Sequence, residues 1–122
     1  MFDLAREFAC NKIAFGHHKD DLIETFFLNL LYSGNISTMK PRQDLFNGRL
    51  CLLRPLAYLE KENIITLAGL FGLTAVKNLC PISSDSKREK IRSMITTLFR
   101  QEPKTKESVF AAMSNIRKDY LL

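Results

Sequence analysis

Apolar positions fall along this chain in two rhythms, and the alternation between them predicts the elements. Leu4, Ala5 and Phe8 recur at helical spacing and predict a helix over 2–10, broken by Asn11. Lys12-Ile13-Ala14-Phe15-Gly16 reads as a short buried strand running into a glycine. From Asp20 the period lengthens again: Leu22, Ile23, Phe26, Phe27, Leu30 and Leu31 make one broad apolar stripe, suited to packing on a sheet. Tyr32-Ser33-Gly34-Asn35 ends that helix, with Gly34 suited to a left-handed C-terminal position.

Residues 35–49 are polar and turn-rich, and Asn47-Gly48 predicts a tight turn closing an excursion before the next strand. Residues 50–53, Leu-Cys-Leu-Leu, read as a second buried strand stopped by Arg54-Pro55. A second helix is expected over 60–71, with Ile64, Ile65, Leu67, Ala68 and Leu70 facing inward and Gly72 closing it. An extended piece at 73–76 leads to the loop Asn78-Leu79-Cys80-Pro81. Ser84 or Asp85 then caps a basic helix to about Arg100, with Ile91, Met94, Ile95 and Leu98 as its apolar face. Pro103 breaks the chain before a last helix, about 105–116, that presents Val109, Phe110, Met113 and Ile116.

Strand, helix, strand, helix is the rhythm of an α/β layer with a parallel sheet, here with too few strands for a full doubly wound fold. The expected fold class is therefore α/β, a partial parallel-sheet Rossmann-like layer with an appended C-terminal helical segment. The units are expected at 1–80 and 81–122, the second a basic helical tail.

With 122 residues, 46% hydrophobic and 25% charged, the chain has globular composition and room for one core. Its apolar runs are far shorter than the roughly 18 residues of a membrane span, and no leader pattern follows Met1, so a cytoplasmic protein is expected. The net charge of +5 is unevenly spread: residues 1–60 carry seven bases and seven acids, residues 61–122 eleven and six. Lys87, Arg88, Lys90 and Arg92 form the densest part of that excess, a broad patch rather than a stripe. Such a face holds polyanions, RNA among them; it equally keeps a surface solvated. Three cysteines, Cys10, Cys51 and Cys80, lack close spacing, which argues against a disulfide framework or a self-contained zinc site. Cys10 and Cys51 sit in apolar surroundings, whereas Cys80 lies in a loop.

The chemistry-bearing stretch is Gly16-His17-His18-Lys19-Asp20-Asp21-Leu22-Ile23-Glu24-Thr25, placed where a strand ends and a helix begins. Ligands of parallel α/β sheets bind at that end of the strands. Gly16 permits close backbone approach, and free N–H groups of the helix start can meet a phosphate. Asp20 and Asp21 can hold a divalent cation, or one can act as a general base if its neighbour raises its pKa. A structural role competes, since Asp21-x-x-Glu24 is an acidic variant of a capping box.

The ordered series Gly16-His17-His18-x-Asp20-Asp21-x-x-Glu24-Thr25 resembles the PP-loop ATP pyrophosphatase family, and within it the tRNA 2-thiocytidine biosynthesis enzymes. The resemblance runs on through Leu53-Arg54-Pro55-Leu56 to Asn78-Leu79-Cys80-Pro81 and the basic helix. It implies a nucleotide alpha-hydrolase fold that uses ATP and Mg2+ to adenylate a tRNA base oxygen, which sulfur from a donor then replaces. It further implies a 4Fe-4S cluster held by three cysteines, with Cys80 at the third position. Asp20 and Asp21 match the acidic motif of the catalytic pocket; Gly16 and His17 match its nucleotide approach. A tRNA-lysidine synthetase-like enzyme and a non-catalytic RNA-binding module are the alternatives. The family's Ser-Gly-Gly-x-Asp-Ser loop and its upstream C-x-x-C pair are absent from the 122 residues. The expectation is thus the second half of such an enzyme, partnered by a missing N-terminal half or by a second copy.

Overall fold

The computed structural model describes residues 1–76 and 86–121, with only the backbone of Ser86. The 80/81 boundary, the cap at Ser84 or Asp85, and Cys80 with its loop lie outside the described residues. In chain order the elements are α1 (Phe2–Glu7), β1 (Lys12–Ala14), α2 (Lys19–Tyr32), β2 (Arg42–Leu45), β3 (Leu50–Leu53), α3 (Lys61–Leu70), α4 (Ser86–Gln101) and α5 (Lys104–Ala112). A 3-10 turn follows at Lys118–Tyr120.

The sheet has the order β1-β3-β2. β1 and β3 pair in parallel, with Ile13 opposite Leu52, as a strand–helix–strand rhythm requires. β2 is an addition that the apolar pattern does not announce. It pairs antiparallel with β3, Leu45 opposite Leu50, through a hairpin whose turn holds Phe46, Asn47 and Gly48 at φ of 52°, 57° and 82°. The expected Asn-Gly turn is therefore present, and it joins two strands. Arg42-Gln43-Asp44 is polar because β2 is an edge strand with little to bury.

α2 forms as its stripe predicts, and Gly34 ends it at φ +63°. Its partner differs from expectation: its apolar face packs against α4 and α5. Ile23, Ile91 and Ile95 form the buried centre, flanked by Phe27, Leu28, Phe99, Val109, Phe110 and Met113. The basic helix thus turns Ile91 and Ile95 inward, whereas Met94, Leu98 and Ile116 are exposed. A second apolar layer lies in the sheet around Leu50, Cys51, Leu52 and Ala57.

Among the described residues, two apolar faces are open. Ile65, Leu67 and Leu70 of α3, expected to face inward, are exposed, because no described element packs along that helix. α1 buries Ala5 but leaves Leu4 and Phe8 exposed. Cys10 is exposed for the same reason: the chain turns at Ala9 (φ 51°) away from any cover, while Cys51 is buried as expected. No helix of the described residues is long and apolar enough to cross a membrane.

Candidate active site at the strand ends

β1 and β3 run parallel, so both deliver their carboxyl ends to one rim of the sheet, the rim where such sheets bind ligands. From β1 the chain passes Phe15, Gly16 and His17 and enters α2 with His18 as an extended N-cap residue. From β3 it passes Arg54 to Glu60 and enters α3 at Lys61. The Lys19 N–H donates to the Leu59 carbonyl at 2.9 Å, tying the two connections together.

The two aspartates do different work. Asp21 Oδ2 accepts the N–H of His18 at 2.9 Å and so closes the start of its own helix. Asp20 Oδ2 accepts the N–H of Lys61 at 2.9 Å and thereby caps α3, the helix after the neighbouring strand. Its other oxygen, Oδ1, meets Lys106 Nζ of α5 at 2.8 Å. The His18 ring lies between both carboxylates, Nδ1 3.6 Å from Asp20 and Nε2 3.4 Å from Asp21.

Around Asp20, opposite charges alternate. Lys106 also reaches Glu60 Oε2 at 3.0 Å. Lys19, a buried lysine, pairs with Glu107, stands 3.6 Å from Glu60, and lies 5.0 Å from the centre of the Phe110 ring. Burial works against ionisation of Asp20, but Lys106, the Lys61 N–H and His18 outweigh it and hold the carboxyl below its ordinary range. The Lys106 hydrogen bond does the same for Glu60. Burial opposes the charge on Lys106 as well, yet Asp20 and Glu60 raise its pKa. The raised carboxylate of a general base is therefore not what Asp20 has; a neighbouring ammonium, not a second carboxylate, sets its charge.

Glu24 is buried, and α4 clamps it: Arg92 binds in two-pronged fashion at 2.7 and 3.0 Å, and Arg88 approaches at 3.4 Å. Two of the four bases expected to face RNA are thus committed to Glu24. Lys90 is exposed, and Lys87 lies 5.2 Å from the centre of the Tyr32 ring. Between these groups opens a cleft of about 200 Å³, lined by His18, Asp21, Glu24, Lys61, Arg92 and Phe99 among others.

Gly16 is exposed, and a Cβ there would meet nothing within 4 Å, so the chain's own packing does not require a glycine. His17 packs beside Phe15, ring centres 5.5 Å apart, and its buried Nδ1 has no hydrogen-bond partner. An orphaned buried nitrogen costs about 1–3 kcal/mol unless water or a ligand's polar group meets it. Open backbone at Gly16 and the free His17 nitrogen fit a nucleotide at the strand end. Asp20 does not fit Mg2+, because both of its oxygens already have partners. No three His, Cys, Asp or Glu side chains among the described residues converge as a metal site, so those residues do not build a cluster site either.

Sequence reasoning missed Glu60, Lys106 and Glu107, gave Lys19 no role within the motif, and gave Glu24 none beyond the capping box and the family series. Lys19 and Glu107 are 88 positions apart, and no local spacing signals such a pair.

The profile of the PP-loop domain family matches residues 2–99. The tRNA-cytidine(32) 2-sulfurtransferase of Geobacter sulfurreducens is 36% identical over 124 aligned positions, covering 100% of this chain and 48% of that protein. Its counterpart from Alkalilimnicola ehrlichii is 36% identical over 122, covering 99% and 39%. The chain thus spans about half the length, or less, of these curated relatives. Among solved structures, the U34-tRNA thiolase NcsA from Methanococcus maripaludis with its [4Fe-4S] cluster matches in fold. The TM-score is 0.71 at 21% identity, over 93% of this chain and 38% of that one. Parallel strands ending at a Gly-His-His-x-Asp-Asp turn, in a chain matched over most of its length by that profile, make this chain a member of the PP-loop domain family.

Proposed function

We propose that this chain forms the acidic-motif half of the active site in an ATP-dependent tRNA-thiolating enzyme of the cytoplasm, one that converts a cytidine to its 2-thio form. The observation that carries the reading is the match along the whole chain to tRNA-cytidine(32) 2-sulfurtransferases, with Gly16 to Glu24 inside the family span.

In this reading the base carbonyl oxygen attacks the α-phosphorus of ATP and pyrophosphate leaves. Sulfur from a donor then attacks the activated carbon and AMP leaves. The chain's own contribution is positional and electrostatic. Gly16 leaves the strand end open to the nucleotide, and His17 offers its unpartnered Nδ1 to a polar group there. Asp21 fixes the start of α2, while Asp20 holds α3 against the same rim. Lys87 and Lys90, on the basic helix, provide cationic contacts for the tRNA backbone, and Arg88 and Arg92 bind Glu24. Cys80 is proposed as a thiolate of the sulfur-handling part; no step is assigned to a cluster or to magnesium.

The test is incorporation of radiolabelled sulfide into tRNA by the protein purified from its source. Label entering tRNA only with ATP, and released as thiocytidine on digestion, supports the reading. ATP-independent or absent labelling by protein that binds tRNA contradicts it.

A further inference from the structure

α5 brings a cation into the acidic motif from beyond the residues that the family profile matches, which end at 99. Lys106 Nζ sits 2.8 Å from Asp20 Oδ1 and 3.0 Å from Glu60 Oε2, with its side chain only 15% exposed. Neighbouring Glu107 pairs with buried Lys19. The apolar residues on the same face of α5 are anchored as well, with Val109, Phe110 and Met113 against the Ile23–Ile91–Ile95 cluster. Two ion-pair systems and an apolar face thus hold the ammonium between the carboxylates of Asp20 and Glu60.

We propose that Lys106 is a positioning residue that stands in this site as a built-in cation. It keeps Asp20 as the cap of α3 and leaves that carboxylate unfit to serve as a Mg2+ ligand. Magnesium demands oxygens at about 2.0–2.1 Å in near-octahedral array, so it cannot share Asp20 Oδ1 with an ammonium already in hydrogen-bond contact. The inference deepens the proposed function by stating how its acidic motif handles charge, and it rests on the strand-end rim around Asp20 being the functional site.

The test uses Mn2+ as probe, its free concentration read by electron paramagnetic resonance, on the full chain and on Lys106→Met and Lys106→Arg. Lys106→Met is expected to bind Mn2+ at least about tenfold tighter than the parent, Lys106→Arg to show no gain, and Asp20→Asn to cancel the gain; tenfold is about 1.4 kcal/mol. Equal affinity in the parent and Lys106→Met overturns the proposal. Because the methionine variant can misfold, the parent is also probed by amine acylation and mass spectrometry. Lys106 is expected to react at least about tenfold more slowly than exposed Lys90, and faster in Asp20→Asn; reaction at the rate of Lys90 overturns the proposal whatever the variants do. Neither readout involves sulfur transfer, so this proposal and the thiolation reading fail separately.

Discussion

Removing the carboxylate and removing the guanidinium of the Glu24–Arg92 pair should not cost the same. The Glu24 side chain is 7% exposed, whereas those of Arg92 and Arg88 are 56% and 40% exposed. In Glu24→Gln the amide keeps the shape and some acceptor capacity, and both arginines can turn to water. The expected loss is about 1 kcal/mol, the scale of one weakened hydrogen bond. In Arg92→Met, Glu24 stays buried with only the 3.4 Å contact to Arg88, and the expected loss is about 3 kcal/mol, the low end for a broken buried pair. With an m-value near 2 kcal/mol/M, the 2 kcal/mol difference separates the urea midpoints by about 1 M. Replacing both, as Glu24→Leu with Arg92→Met, should recover stability relative to Arg92→Met alone. A Glu24→Gln variant as unstable as Arg92→Met, or less stable, refutes the argument from unequal burial.

Four further outcomes follow from the same structure. Asp20 and Glu60 titrate below their ordinary values of 3.8 and 4.5, so their stabilisation is complete above about pH 4.5 and is lost as pH falls through the folded-state values. Asp20→Asn should flatten that acid limb in circular dichroism, and an unchanged limb counts against it. Lys106, raised above 10.5, contributes fully below that pH and less as pH climbs through its folded value, a loss that Lys106→Met should remove from the alkaline limb. Gly34→Ala, at φ +63°, should cost about 1 kcal/mol in urea unfolding, and Lys87→Ala with Lys90→Ala should lower the salt slope of tRNA binding by about one per lysine.

The sequence made some of this legible and left the rest dark for physical reasons. The Leu22–Leu31 stripe announced α2 because a burial face imposes its period on the sequence, but a period names a face and not its partner. The sheet was the expected neighbour; α4 and α5 are the actual ones, and the buried Ile91 and Ile95 within a basic stretch were the available sign. β2 escaped notice because an edge strand with Arg42, Gln43 and Asp44 has no apolar alternation to read; pairing with β3 alone defines it. Inward orientation of Ile65 and Leu70 was a fair inference from periodicity, yet α3 has no described cover. At the site, Gly16, His17, Asp20 and Asp21 were visible as a local motif. Lys106 and Glu60 were not, and Arg92 was legible only as part of a basic patch, because ion pairs between distant segments leave no spacing signature. They give Asp20 a structural part that the motif did not announce, as the charge-paired cap of α3.

The central claim is best tested by nucleoside mass spectrometry of bulk tRNA from the source organism with the gene intact, disrupted and restored. The account predicts thiocytidine present in the first, lost in the second and regained in the third. Thiocytidine at unchanged level after disruption would contradict it.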